Sequence, residues 1–132
     1  YAKAGLAGLA QSVSASNNNT WVQLSPNMPI TGKKYIEMVA PYQGSPVYRC
    51  HGITRTPRNV GFPGQTADSW GYLSNDGNLW NNNAGVAFGP AWGNDSIVGI
   101  AFDADTHELQ YFMNGVKVGT TVTVDPGTVE TI

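Results

Sequence analysis

The acidic side chains that could carry out acid–base chemistry lie close together at one point of the chain. Asp103 and Asp105 are two residues apart, and Glu108 follows shortly after them. A glycosidase would need two carboxylates that face each other across a cleft. These carboxylates instead occupy a short turn between two strand-like runs, where Asp commonly accepts hydrogen bonds from backbone amides. Turn formation therefore accounts for them, and it also accounts for Asp76, which precedes Gly77.

The two histidines and the single cysteine indicate neither a metal site nor a nucleophile. His51 and His107 are far apart in the sequence, and a zinc site needs several His or Cys ligands at close spacing. Cys50 cannot form an internal disulfide, and we expect it to be a half-buried packing residue of a strand. The chain contains no G-x-S-x-G elbow, phosphate-binding loop or dinucleotide motif. We predict a non-enzyme that uses no cofactor and no metal.

Side chains suited to recognition are better represented. Three of the seven basic residues, Arg49, Arg55 and Arg58, fall in or beside one long stretch without periodicity (residues 54–69). Arginine can hold a carboxylate, sulfate or phosphate group through two parallel hydrogen bonds. Aromatic side chains in loops commonly stack on sugars or anchor protein contacts. The candidate ligand-binding residues are Tyr42, Arg55, Arg58, Phe62, Trp80, Asn82 and Trp92.

Each of these assignments has a structural alternative. A single arginine in a loop can be a solvated charge that binds nothing. Trp80 and Trp92 could equally cap the end of the core, because tryptophan is largely buried in most proteins. Trp21 and Trp70 lie in strand-like runs, and we predict that both belong to the core.

The composition limits the classes of partner. The chain has 132 residues, of which 12% are charged, and its formal net charge is −2. Without a basic excess it cannot neutralise many phosphates, so nucleic acid is not an expected partner. The longest apolar runs have the length of a strand, and no segment is expected to cross a bilayer. A chain of this length forms one domain with one core.

The best-defined local pattern is a meander of strands in the second half of the chain. The apolar run from Ile97 to Phe102 is followed by turn-forming residues. Leu109, Tyr111 and Met113 then alternate on one face of the next strand. Asn114-Gly115 is typical of a type I′ hairpin turn, which needs positive φ at both positions.

The rest of the chain has the same character. Further strands are predicted at residues 13–16, 21–24, 35–40, 47–53, 70–73 and 78–80, with long connections at residues 54–69 and 81–94. Many short strands with Gly, Asn and Pro turns indicate an all-β, antiparallel two-sheet sandwich or jelly roll. Residues 1–12 are expected to be a linker or N-terminal arm.

Several motifs occur in a fixed order along the predicted strands. They are Gly32-Lys33-Lys34-Tyr35-Ile36-Glu37, Gly52-Ile53, Gly71-Tyr72 with Asp76-Gly77 and Asn81-Asn82-Asn83, Phe88-Gly89 with Gly93 through Gly99 and Asp103, and Leu109 through Gly115 with Gly119. In this order and spacing, residues 13–132 resemble a SPRY domain. The resemblance implies a concanavalin-like β-sandwich that serves as a binding module without catalytic apparatus.

The resemblance also implies where a ligand is held. SPRY domains bind ligands on variable loops at one end of the sandwich, and residues 42–46, 55–68 and 81–94 are the loops we select here. Members of the family normally continue past the Asn-Gly hairpin through another pair of strands. We therefore expect residues 13–132 to lack the last strands of the sandwich. A neighbouring chain or further residues of a larger polypeptide would supply them.

Three functional hypotheses follow. The leading one is a non-catalytic recognition domain of a larger virion (fibre, tail or capsid-decorating) or extracellular assembly, which binds a protein or glycan as part of an oligomer. Its basis is an Asn-, Thr- and Gly-rich, Lys-poor composition, the lack of disulfides and the sheet that we expect to be incomplete. The alternatives are a cytoplasmic adaptor that reads a short peptide and a lectin-like module. A hydrolase has no positive support.

Overall fold

The computed structural model describes residues 32–39, 49–54 and 61–124, and their regular elements are all β-strands. The strands are β1 (Lys33–Val39), β2 (Cys50–Thr54), β3 (Ser69–Leu73), β4 (Asn78–Asn81), β5 (Ala84–Ala87), β6 (Ile97–Asp103), β7 (Glu108–Met113) and β8 (Val116–Thr123). They form two four-stranded antiparallel sheets. Sheet A has the order β1-β6-β7-β8, and sheet B has the order β2-β3-β4-β5. The predicted all-β two-sheet class is confirmed.

The meander predicted for the second half of the chain forms as expected. Ile100 of β6 lies opposite Tyr111 of β7, and Met113 lies opposite Val116 of β8. Asn114 has a φ of 50° and Gly115 a φ of 82°. Both residues of the turn therefore have the left-handed backbone of a type I′ hairpin.

The core lies between the sheets and takes alternate residues from each strand. Its buried side chains are Ile53, Trp70, Tyr72 and Leu79 from sheet B, Val98, Ile100, Phe102, Leu109 and Tyr111 from sheet A, and Trp92 and Val124 outside the strands. The prediction that Trp70 is a core residue is confirmed. Cys50 is more buried than the half-buried position we expected, because a loop packs over it on the outer face of sheet B.

Tyr111 joins the two sheets inside this core. It is fully buried in sheet A, and its hydroxyl lies 3.3 Å from the carbonyl oxygen of His51 and 3.4 Å from that of Trp70, both in sheet B. Burial raises the pKa of this hydroxyl well above its usual value, so it remains a hydrogen-bond donor. The Tyr111 ring also contacts the rings of Tyr72 and Phe88, with centroid separations of 5.5 and 5.6 Å.

One strand was not predicted. Residues 81–94 are not a single long connection, because Asn82 and Asn83 form a two-residue turn that leads back into β5. Their φ values are 53° and 57°, a backbone that Asn tolerates better than most residues. The sequence Ala-Gly-Val-Ala of β5 lacks the alternation and the β-branched content that identify a strand, so the pattern did not reveal it.

Other expectations fall on residues that the structure does not describe. These are the N-terminal arm at residues 1–12, the strands at residues 13–16 and 21–24, and the core position of Trp21. The absence of the final strands also stays a prediction. The described residues contain no helix of the length and apolarity needed to cross a bilayer.

A glycine in β8 makes room for an aromatic ring of the core. The pairing of β7 with β8 is irregular between Leu109 and Tyr111, and Gly119 lies in the bulged part of β8 with a φ of 64°. A Cβ atom on Gly119 would lie 2.5 Å from the ring of Phe88. The Phe88 ring thus packs directly on backbone, which lets it reach Tyr72 and Tyr111.

We predict that Gly119→Ala lowers the free energy of unfolding by about 3 kcal/mol, because it combines left-handed backbone strain with overpacking against Phe88. Gly115→Ala is the matched control, since Gly115 also has positive φ but an added Cβ meets nothing within 4 Å. It should cost only about 1 kcal/mol. Urea unfolding of both variants measures the difference, and equal losses would contradict the packing role of Gly119.

Candidate functional site

A row of four directly paired residues crosses the outer face of sheet B, and three of the four are glycines. The pairs Gly52–Gly71, Gly71–Trp80 and Trp80–Gly85 run across all four strands. These residues face away from the core, because Leu79, the neighbour of Trp80 in β4, points into it. Trp80 is therefore the one large side chain in a row that is otherwise flat backbone.

The segment before β3 packs against this flat face. A Cβ atom on Gly71 would lie 2.1 Å from the carbonyl oxygen of Pro63, and one on Gly52 would lie 2.5 Å from the Cβ of Pro63. The Cys50 thiol donates a hydrogen bond to the same carbonyl oxygen at 3.2 Å. Burial raises the pKa of Cys50 far above its usual value. The thiol therefore stays protonated and serves as a hydrogen-bond donor to the segment.

Trp80 is held between this segment and the edge of the sheet. A Cβ atom on Gly85 would lie 2.7 Å from Cε2 of Trp80, so the indole lies over the backbone of β5. The Phe62 ring contacts the indole edge-on, with a centroid separation of 5.8 Å. Both aromatic residues keep part of their surface exposed. Trp80 Nε1 is buried and has no hydrogen-bond partner among the described residues.

The β4–β5 turn is fixed to the same segment. The backbone N–H of Asn82 donates to the carbonyl of Thr66 at 3.1 Å, and that of Asn83 donates to the carbonyl of Gly64 at 2.9 Å. The Asn81 side-chain amide donates to the carbonyl of Ser69 at 2.8 Å. The bonds of Asn82 and Asn83 use only their backbone N–H groups, and the side chain of Asn82 is exposed.

Of the four predicted site residues that the structure describes, three come together and one does not. Phe62, Trp80 and Asn82 lie at one corner of sheet B, and together with Gly85 we call them the Trp80 surface. Trp92 lies at the opposite end of β3, where its backbone N–H donates to the carbonyl of Ser74 at 2.9 Å. Tyr42, Arg55 and Arg58 lie outside the described residues.

Trp92 occupies the position that the alternative interpretation gave it, a cap on the core. It is 6% exposed, and its ring contacts those of His51 and Tyr72 at centroid separations of 4.7 and 6.0 Å. Near this end, the guanidinium of Arg49 donates to Oδ1 of Asn94 at 3.0 Å. The stretch at residues 81–94 therefore begins at one end of sheet B, at the Asn82 turn, and reaches the other end at Trp92.

His51 is neutral at physiological pH. Burial, with a smaller contribution from the positive charge of Arg49, lowers its pKa from 6.5 to about 4. Its Nδ1 atom is buried and has no hydrogen-bond partner among the described residues. A protonated imidazole would need such a partner, so acid must weaken this part of the fold.

The carboxylates of Asp103 and Asp76 have the turn roles that we expected. Asp103 accepts the backbone N–H of Asp105 at 3.0 Å and forms an ion pair with Lys33 at 2.9 Å. The hydrogen bond from Lys33 lowers the pKa of Asp103. Asp76 accepts the backbone N–H of Asn78 at 2.9 Å. Within the described ranges, no three His, Cys, Asp or Glu side chains are grouped as metal ligands would be.

The two four-stranded antiparallel sheets define a β-sandwich, and Trp80 and Phe62 form an aromatic surface at one corner of it. The sequence profile of the SPRY domain family matches residues 45–130. The chain belongs to the SPRY domain family, as its motifs indicated. Domains of this family are typically non-catalytic modules that bind other proteins.

Solved structures agree with this assignment at the level of the fold. The SPRY domain of human HERC1 is similar with a TM-score of 0.63 and 19% identity, over 82% of this chain and 67% of that one. A second human SPRY domain gives a TM-score of 0.60 and 18% identity, over 84% of this chain and 72% of that one.

One curated relative matches at the level of sequence. Part of the Dictyostelium discoideum dual specificity protein kinase splA is 32% identical over 71 residues, which is 53% of this chain. The chain spans only 3% of the length of that kinase, so the match gives no evidence of kinase activity here. These relatives are cellular proteins, and they lend no support to the virion, phage or glycan interpretations.

We predict that stability falls as the pH is lowered from 7 to 4.5. The unfolded chain protonates His51 near its ordinary pKa of 6.5, whereas the folded chain does so only near 4. Across this window His51 should cost about 2–3 kcal/mol. Most of this loss should vanish in His51→Phe and persist in His107→Gln. Urea titrations at several pH values measure it, and an unchanged pH slope in His51→Phe would refute the assignment.

Proposed function

We propose that this domain is an adaptor module that binds a short peptide segment of another protein through the Trp80 surface. The observation that carries the proposal is the partly exposed Trp80–Phe62 pair, in which Trp80 is the one large side chain of a row that otherwise consists of glycines. Membership of a family of interaction modules and the cellular origin of the relatives support the adaptor interpretation over the virion one.

The surface is organised before any ligand arrives. Pro63 and Gly64 pack against the backbone of sheet B, and the turn at Asn82 is hydrogen bonded to the segment that carries Phe62. Little conformational entropy is then lost when a ligand contacts Trp80, and this favours tight binding by a small surface. Tryptophan is also the residue type that most often dominates binding energy at interfaces.

The chemistry of the surface indicates the class of ligand. No Asp, Glu, Lys or Arg occurs between Asp76 and Asp95, a range that includes Trp80, Asn82 and all of β5. The surface offers an aromatic face, an exposed Asn amide and backbone groups. These match an uncharged peptide with an apolar anchor residue better than a phosphorylated or strongly charged one.

We predict that Trp80→Ala weakens binding of peptides selected from a displayed linear dodecapeptide library by at least about tenfold, since it removes the central aromatic anchor. Isothermal titration calorimetry measures the affinity, and circular dichroism with urea unfolding verifies the fold. Val116→Thr is the control, because Val116 is an exposed apolar residue of sheet A, 68% accessible. It should bind with unchanged affinity.

A glycan array separates the remaining alternative. The proposal expects no glycan signal from a domain that binds selected peptides. Glycan binding that is lost in Trp80→Ala, together with no peptide recovered from the library, would contradict it in favour of a lectin.

A further inference from the structure

The strand next to Trp80 lies at the edge of sheet B as the structure describes it. Among the described residues, β5 has one strand neighbour, β4. All four residues of β5 are exposed, and Val86 is 60% accessible. A strand in this position presents a row of backbone N–H and C=O groups that another strand can bind.

The turn geometry identifies which backbone groups face outward. Residues that flank a two-residue type I′ turn form a hydrogen-bonded pair, which here is Asn81–Ala84. Hydrogen-bonded and non-hydrogen-bonded pairs alternate along an antiparallel ladder. Val86 therefore bonds to β4, whereas the N–H and C=O groups of Gly85 and Ala87 point to the free edge.

This edge is short, but it lacks the charges, proline and bulge that often protect a sheet from further pairing. Exposed edges commonly carry Lys, Pro or a bulge. Edge strand β1 carries Lys33, Lys34 and Glu37, and β8 carries Lys117. β5 reads Ala-Gly-Val-Ala and pairs with β4 in continuous register. It has neither charge nor proline.

Trp80 is placed to contact a residue added at this edge. Side chains of directly paired residues lie on the same face of a sheet, and Trp80 is paired with Gly85. An incoming residue opposite Gly85 would point to the same face as Trp80. Because Gly85 has no side chain and the indole lies over it, nothing separates the indole from that residue.

We infer that the free edge of β5 binds an extended, uncharged peptide segment of the partner as an additional strand of sheet B. One side chain of the segment packs against Trp80, and its backbone pairs with Gly85 and Ala87. Strand addition of this kind derives affinity from main-chain hydrogen bonds and specificity from alternate side chains. The inference rests on the proposed function and specifies how the segment is held.

The size of the edge favours a peptide over a second copy of this chain. Stable protein–protein interfaces bury roughly 1,200 Å² or more. Pairing two four-residue strands with small side chains buries far less, so β5 alone would not hold a dimer. A short segment that also covers Trp80 and Phe62 uses the edge together with the neighbouring aromatic surface.

The direct test is amide hydrogen exchange by NMR, on the whole chain with and without a peptide from the displayed linear library. We expect the amides of Gly85 and Ala87 to exchange at least tenfold more slowly when the peptide is bound. The amides of Ala84 and Val86 should be protected in both states, because they already bond to β4.

A variant tests the same edge by affinity. Ala87→Pro removes an outward N–H, and proline is tolerated where a strand faces solvent. Binding should weaken at least tenfold with the fold intact by circular dichroism. Val116→Thr should bind normally. Should Ala87→Pro prove unfolded, Ala87→Lys serves instead, because a charge at this edge disfavours an uncharged strand.

The outcomes separate the two proposals. Peptides that bind through Trp80 while Gly85 and Ala87 remain unprotected would overturn strand addition and leave the proposed function standing. Protection of both amides in the protein alone, with a dimer in light scattering that Ala87→Pro dissociates, would assign the edge to a second copy and overturn the inference. Recovery of no binding peptide at all would overturn both.

Discussion

Close packing of rings against glycine backbone is the interaction on which the rest of this structure depends. Inside the sandwich, the Phe88 ring lies against Gly119 and thereby reaches Tyr72 and Tyr111. On the outer face of sheet B, Trp80 lies over Gly85 in the same way. A side chain at either glycine would displace a ring by more than the packing can absorb. One physical device therefore fixes both the contact between the sheets and the aromatic surface that we assign to binding.

The two ends of sheet B consequently have different roles. At one end, His51 and Trp92 close the core. At the other, the Asn82 turn and the segment carrying Phe62 hold an indole that is only partly covered. Trp92 is almost completely buried, whereas Trp80 keeps an exposed surface that can contact a ligand. The carboxylates of Asp76 and Asp103 serve in turns.

Much of the fold could be predicted, because alternation and turn chemistry are local properties. The strand β7 and its pairing with β8 could be predicted from the alternation of Leu109, Tyr111 and Met113 and from the Asn114-Gly115 turn. β5 could not be found in this way, since Ala-Gly-Val-Ala carries no periodic signal and its place is set by pairing with β4. Because both are tryptophans, Trp80 and Trp92 were equally good candidates for ligand binding. The residue type alone does not say which of the two is buried in the core. That difference arises from strand register and from glycines at positions 71 and 85, whose partners are distant in sequence.

The central claim is that Trp80, and not Trp92, meets the ligand. Its most direct test is a ¹⁵N–¹H spectrum of the tryptophan indole groups during titration with a library-selected peptide, assigned by single Trp→Phe substitutions. The account predicts that the Trp80 indole resonance shifts in a saturable manner while the Trp92 resonance stays in place. A saturable shift of Trp92 with Trp80 unchanged would contradict it.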